Sequence, residues 1–165
     1  MSNYNGQTVR LLVSAGGIEE RSGQIVQGQL MALGLNVELV ALDGPSTAAA
    51  DLAGEWDLHI INTVSSLIDA STITNRYMIR EGQGHGPMFH EPHLTIAHDL
   101  SIAQNTLFGA ERVAVTTELA DYSNQYALLI PIMQTYTFIA YNRNLGGMAM
   151  NSSGSWFPQW WYWTD

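Results

Sequence analysis

The sequence predicts an α/β fold: a largely parallel sheet with helices on both faces. Three observations lead there. Short apolar runs recur at Thr8 to Ser14, Asn36 to Leu42 and Leu58 to Asn62, each the length of a strand. The stretches between them carry helical spacing, and glycines sit where each helix would stop. Near-continuous apolar strands alternating with helices are the pattern of strands buried on both faces.

Taken in order, TVRLLVS is the opening strand, and Ala15-Gly16-Gly17 breaks it. Ile18, Ser22, Ile25, Val26, Gln29, Leu30 and Leu33 then recur at helical spacing. Glu19 and Glu20 fall in the first turn, where the helix dipole favours acids. Gly34 closes this helix, and Val37, Leu39 and Ala41 alternate through a second strand. Pro45 to Leu52 reads as a short helix ending at Gly54, and Glu55-Trp56-Asp57 leads into the third strand. The spacing then predicts helices over Asp69 to Arg80, from Pro92 with Leu94, Ala97, His98 and Ser101 on one face, and over Glu111 to Tyr126 with Val113, Val115, Leu119 and Tyr122 partly buried. Gly82 to Pro87 is a loop by composition. Leu128 to Tyr141 returns to strand character, with Pro131 restricted to a strand start, edge or bulge because it has no N–H. No internal repeat or low-complexity linker divides residues 1–165, so a single domain is expected.

Composition narrows the function. The 165 residues suffice for a real core, since a chain of this size buries roughly 70% of its unfolded surface. Six cationic side chains, all arginine, stand against fifteen acids for a net charge of -9. No basic face can form to displace counterions from phosphates, so nucleic acid is not an expected partner. Without lysine a P-loop is impossible. Without cysteine there are no disulfides, thiolate nucleophiles or cysteine-held metals. The opening residues show no basic segment followed by an apolar one, so any export signal is expected upstream of this sequence.

Four sets of residues could carry chemistry. Gly16-Gly17 after the first strand and Asp43 after the second imitate a dinucleotide site, the mark of a small nucleotide-binding α/β enzyme. The third glycine is missing, however, and Glu19 and Glu20 would face the phosphates. His85, His90, His93 and His98 could hold nickel, copper or zinc, although their spacing fits no closed tetrahedral site and a loop-and-cap role explains them equally. Mid-strand His59 reads as a core histidine. Asp57 with Asp69, or Glu55 with Asp57, could pair as catalytic carboxylates, but only proximity suggests it. No serine lies in a G-x-S-x-G elbow, so no enzyme and no cofactor are expected. The terminal aromatics Trp156, Phe157, Trp160, Trp161, Tyr162 and Trp163 could stack on a ligand, seal the sheet, or cover a surface where another lobe belongs.

Several phrases resemble one family in order and spacing. Gln29-Leu30-Met31-Ala32-Leu33-Gly34-Leu35 and Gly54-Glu55-Trp56-Asp57 are similar to its "QLxxLGI" and "GxxD" phrases, and Glu111-Arg112, Ile130-Pro131-Ile132 and Asn144 to Gly147 follow its later ones. The family is extracellular solute-binding proteins, family 5, the oligopeptide, dipeptide and nickel receptors of ABC importers. From about Tyr4 onward the chain resembles the family's C-terminal lobe, a periplasmic-binding-protein type II-like lobe. The resemblance implies an excised half of a two-lobed, extracytoplasmic receptor, periplasmic or lipid-anchored. Its partners would be a peptide or other small solute, a membrane permease and a missing N-terminal lobe. A nickel or metal-complex receptor is the alternative within the class. Ligands of open α/β sheets sit beyond the carboxyl ends of the strands. That indicates Gly16, Gly17, Asn62, Thr63, Ser65 and Ser66 as binding residues. The family's peptide receptors hold the ligand amine with an aspartate shortly after the third strand. Counting puts Ser66 there and Asp69 three residues on, so Asp69 takes that role if the loop shifts register, or the ligand lacks a free amine.

Overall fold

The structure is a computed structural model that describes residues 4–63, 69–79, 92–135, 139–150 and 154–164. The elements run β1 (Thr8–Ser14), α1 (Ile18–Ala32), β2 (Asn36–Leu42), α2 (Gly44–Ala53), β3 (Leu58–Ile60), α3 (Ala70–Tyr77), α4 (Pro92–Thr106) and α5 (Gly109–Tyr126). A ribbon of β4 (Leu145–Gly146) and β5 (Tyr162–Trp163) follows, with a 3-10 turn at Pro158–Trp160.

The expected parallel sheet forms, in the order β2-β1-β3. β1 is central, with Leu11 opposite Leu39 of β2 and Leu58 of β3. The crossover through α1 runs from β1 to β2, and the one through α2 returns past β1 to β3. Right-handed connections in opposite directions put the two helices on opposite faces. The core agrees. Leu11 and Val13 pack with Val37, Leu39, Val26 and Leu30 on the α1 side, while Leu12 points the other way and is fully buried. Each such side chain contributes about 1.5–3 kcal/mol by leaving water.

The buried stripe of α1 differs from the one its apolar spacing suggests. Ser22 and Gly23 are buried, whereas Ile18, Ile25 and Leu33 are exposed. Gly23 explains the difference. A Cβ there would lie 2.8 Å from both Val13 Cγ1 and Leu39 Cδ1, so only glycine lets the helix come this close to the sheet. Small residues, not large ones, face the core at this crossing.

α2 begins with Asp43, whose carboxylate accepts from Ser46 N at 2.9 Å, and ends at Gly54 with φ 69°. Asp57 ties the entry of β3 to β1, accepting from Arg10 N at 2.7 Å while its own N–H donates to Arg10 O at 3.0 Å.

A second core lies among the later helices, where Met78, Ala97 and Leu119 are buried together with half-covered Leu100, Tyr122, Leu128 and Leu129 around them. Leu94, Ala97 and Ser101 form the buried face expected of α4. Val113 of α5, expected to be partly covered, is exposed.

Two boundaries differ from the sequence reading. β3 closes at Ile60 because Asn62 and Thr63 have no ladder partner on β1, whose pairing with β3 ends at Val13. Among the described residues of 128–141 there is no strand. Ile130, Ile132 and Met133 are exposed, and Pro131 cannot donate to a ladder. At the other end, a Cβ on Gly146 would lie 2.6 Å from the Tyr162 ring, so glycine allows β4 and β5 to meet. Trp160, Tyr162 and Trp163 keep much of their surface in solvent.

Candidate functional site

The carboxyl ends of the three parallel strands form one rim. Ala15 N donates to Leu42 O at 2.7 Å, which holds the ends of β1 and β2 together. Gly16 follows with φ 80°, a left-handed turn that glycine takes without strain. Its N–H donates to the Glu20 carboxylate at 2.6 Å, so the first turn of α1 already carries its own anion. A phosphate would have to displace that carboxylate, which counts against the nucleotide reading. Asp43 also stands on this side, its carboxyl held below the usual range by the N–H and then the hydroxyl of Ser46. The β1–β2 side of the rim is therefore acidic.

The β3 side differs. Asn62 is exposed and Thr63 half-buried just beyond the strand. Arg76, in the last turn of α3, donates from Nη1 to Thr63 Oγ1 at 3.0 Å and lies 5.6 Å from the centre of the Tyr77 ring. This bond joins the sheet to the helical part of the chain.

Asp69 stands at the opposite end of α3. Eight helical residues separate these ends by about 12 Å. Its Oδ1 accepts from Ser71 N at 2.8 Å, from Ser71 Oγ at 2.5 Å and from Arg112 Nη2 at 2.7 Å. Hydrogen bonds from the Ser71 hydroxyl, then Arg112 and the Ser71 N–H, lower its pKa to about 2. Asp69, Gln104, Arg112 and Thr116 line an open cleft of about 310 Å³ between α3 and α5. A smaller one of about 190 Å³ adjoins it over Thr74, Met78 and Leu119. Gln104 is fully buried between them, accepting from Thr74 Oγ1 and donating to Thr116 Oγ1, both at 2.8 Å.

The residues expected to bind thus fall into two places. Gly16, Gly17, Asn62 and Thr63 occupy the strand ends, and Asp69 caps α3 beside the cleft. Ser65, Ser66, His85 and His90 lie outside the described residues. His93 is engaged within the helices: its Nδ1 is 2.9 Å from the Tyr122 hydroxyl, and its ring stacks on Tyr126 with centroids 3.7 Å apart. His98 lies half-buried on α4. Among the described residues no three histidine or acidic side chains gather in a metal-binding group. Asp57 and Asp69 are each paired with an arginine, Arg10 and Arg112 respectively. His59 meets Asp51 through Nδ1 at 3.1 Å and lies beside Trp56, while its buried Nε2 has no partner among the described residues. The sequence reading missed Arg76 and Gln104. In a chain without lysine each arginine is a signal, but one that does not reveal its partner.

The two βαβ crossovers give a three-stranded parallel sheet in the order β2-β1-β3 with an open strand-end rim. Solved structures share this fold. NikA from Brucella suis, in complex with Fe(III)-EDTA, matches 73% of the chain at 16% identity and a TM-score of 0.62. The periplasmic binding protein AgaA from A. tumefaciens R10, in complex with agropinic acid, matches 76% at 23% identity and a TM-score of 0.61. MelB from Agrobacterium fabrum C58, a periplasmic binding protein in complex with stachyose, matches 73% at 21% identity and 0.59. The matched region covers 25%, 26% and 20% of those proteins respectively, so the chain corresponds to about a quarter of their length. No family model and no curated protein matches the sequence.

Proposed function

We propose that this chain is the C-terminal lobe of the substrate-binding component of an ABC importer, and that it supplies one half of a cleft that takes oligopeptides. One observation carries the reading: the three parallel strands end on a polar, open rim in a fold shared with periplasmic binding proteins. Ligands of open α/β sheets are held there. The rim and the clefts beside it are open to solvent, as expected of a surface completed by a second lobe. Gly16, Gly17, Asn62, Thr63 and Asp69 are the proposed contacts, together with Ser65 and Ser66. The chain acts by binding, without catalysis, outside the cytoplasm, and hands solute to a membrane permease through the full-length receptor.

Calorimetry with an oligopeptide mixture, run on this chain and on the full-length protein, tests the proposal. The full-length protein is expected to bind and this chain to bind far more weakly, because half of the burying surface is absent. Equal affinities would refute the half-cleft, and absence of binding by the full-length protein would refute the peptide class. Nickel titration of the same samples addresses the metal-receptor alternative.

A further inference from the structure

We infer that Arg76 is the anion-recognition residue of the rim and takes a carboxylate of the solute, with the Thr63 hydroxyl as a second donor. The inference deepens the binding reading above and rests on it. Arg10, Arg76 and Arg112 are the described arginines that are half-buried. Arg10 is 3.3 Å from the Asp57 carboxylate, and Arg112 is 2.7 Å from that of Asp69. Arg76 alone of the three has no carboxylate among the described residues, although the chain holds fifteen acids.

A guanidinium carries five N–H donors in a rigid fork. Among the described residues, Arg76 uses one of them, in the bond to Thr63 Oγ1. The other four have no partner among the described residues, and the partly desolvated cation has no countercharge among them. A planar fork of this kind matches a carboxylate, which accepts two parallel bonds from it. Thr63 accepts from Arg76, so its own O–H proton remains available to the same anion. The contact is held in advance, with the guanidinium over the buried Tyr77 ring and Thr63 fixed just past β3.

The alternative role for Arg76 is to complement the dipole of α3 from its last turn. That accounts for the charge but leaves four donors without a partner among the described residues. A phosphate dianion fits less well than a carboxylate, because Glu20 and Asp43 make the rest of the rim acidic. One cation balances one carboxylate.

The test uses the full-length protein and a peptide pool prepared both as free acids and as C-terminal amides, with a panel of non-peptide carboxylates as a third arm. The wild type is expected to bind the acids at least tenfold more tightly than the amides. Arg76→Gln should abolish that preference, and Arg76→Lys, which keeps the charge but loses the fork, should restore part of it. Equal binding of acids and amides by the wild type overturns the inference while leaving the peptide reading intact, and this comparison needs no variant to fold. An acid preference that survives in Arg76→Gln also overturns it. Binding of the non-peptide carboxylates but not of peptides, with loss in Arg76→Gln, upholds Arg76 and removes the peptide class. Binding of none of the three removes both.

Discussion

Arg112 reaches across 43 residues to donate from Nη2 to Asp69 Oδ1 at 2.7 Å, and this bond ties α5 to the start of α3. Arg112 also donates from Nε to Gln104 O at 3.2 Å, so one side chain touches all three later helices. The carboxylate it meets already caps α3 through Ser71. Asp69 therefore has a structural role whether or not it also meets a ligand.

The lowered pKa of Asp69 makes a pH prediction. Its folded value of about 2 lies below the ordinary 3.8. The stabilisation from its charged form is fully present above the unfolded value and is lost as pH falls through the folded one. The wild type should lose melting temperature between about pH 4 and pH 2, and Asp69→Asn should lose less over the same interval. Melting curves by circular dichroism at each pH decide it. Parallel profiles for the two proteins would show that Asp69 is not responsible.

Gly23 and Gly28 lie on the same helix and should respond with opposite signs. A methyl at Gly23 would meet Val13 and Leu39 at 2.8 Å, so Gly23→Ala should destabilise by about 1–3 kcal/mol through overpacking. Gly28 is exposed with nothing near its Cβ position, so Gly28→Ala should stabilise by about 0.5–1 kcal/mol through helix propensity. Urea unfolding of both variants measures the pair. A neutral Gly23→Ala would mean that α1 can move away from the sheet at little cost.

The opening β-α-β-α-β order was legible because its signals are local: apolar runs of strand length, and Gly34 and Gly54 at positive φ past two helices. The buried face of α1 was less legible, since Ser22 and Gly23 carry little hydrophobic signal and owe their burial to the closeness of β1 and β2. Leu128 to Tyr141 has strand composition, but a strand exists only with a neighbour to bond to, and sequence does not show whether one is in reach. The site was partly legible for the same reason. Strand ends can be counted along the chain, so the position of Gly16, Gly17, Asn62 and Thr63 beyond β1 and β3 was readable in advance. Arg112 with Asp69 and Arg76 with Thr63 are set by tertiary packing, and no local pattern marks them.

Gln104 is the polar centre of the second core. Its side-chain amide links Thr74 of α3 to Thr116 of α5 from a fully buried position on α4. Gln104→Met keeps the approximate volume but removes both bonds. The variant should lose about 1–3 kcal/mol, toward the lower end because Thr116 Oγ1 also donates to Arg112 O and Thr74 Oγ1 to Ser71 O. Denaturant unfolding measures the loss, and a double-mutant cycle with Thr116→Val should show coupling between the two positions. Additive losses would place the stability in packing alone.

α5 ends without a glycine. Ala127 closes it in the left-handed conformation at φ 53°, the only non-glycine residue at positive φ among those described. Its N–H and that of Leu128 donate to Asn124 O and Ser123 O, so the stop is bonded like a helix end that glycine would ordinarily make. An alanine in this conformation costs about 1–2 kcal/mol from the crowding of its Cβ, and glycine's greater freedom in the unfolded chain offsets about 0.5–1 kcal/mol of that. Ala127→Gly should therefore stabilise by about 0.5–1 kcal/mol, net of both effects. Gly54, which closes α2 at φ 69°, provides the mirror experiment, and Gly54→Ala should destabilise by a similar amount. Thermal and urea unfolding of the two variants give both signs. A destabilising Ala127→Gly would mean that contacts of the Ala127 methyl outweigh the strain at this stop.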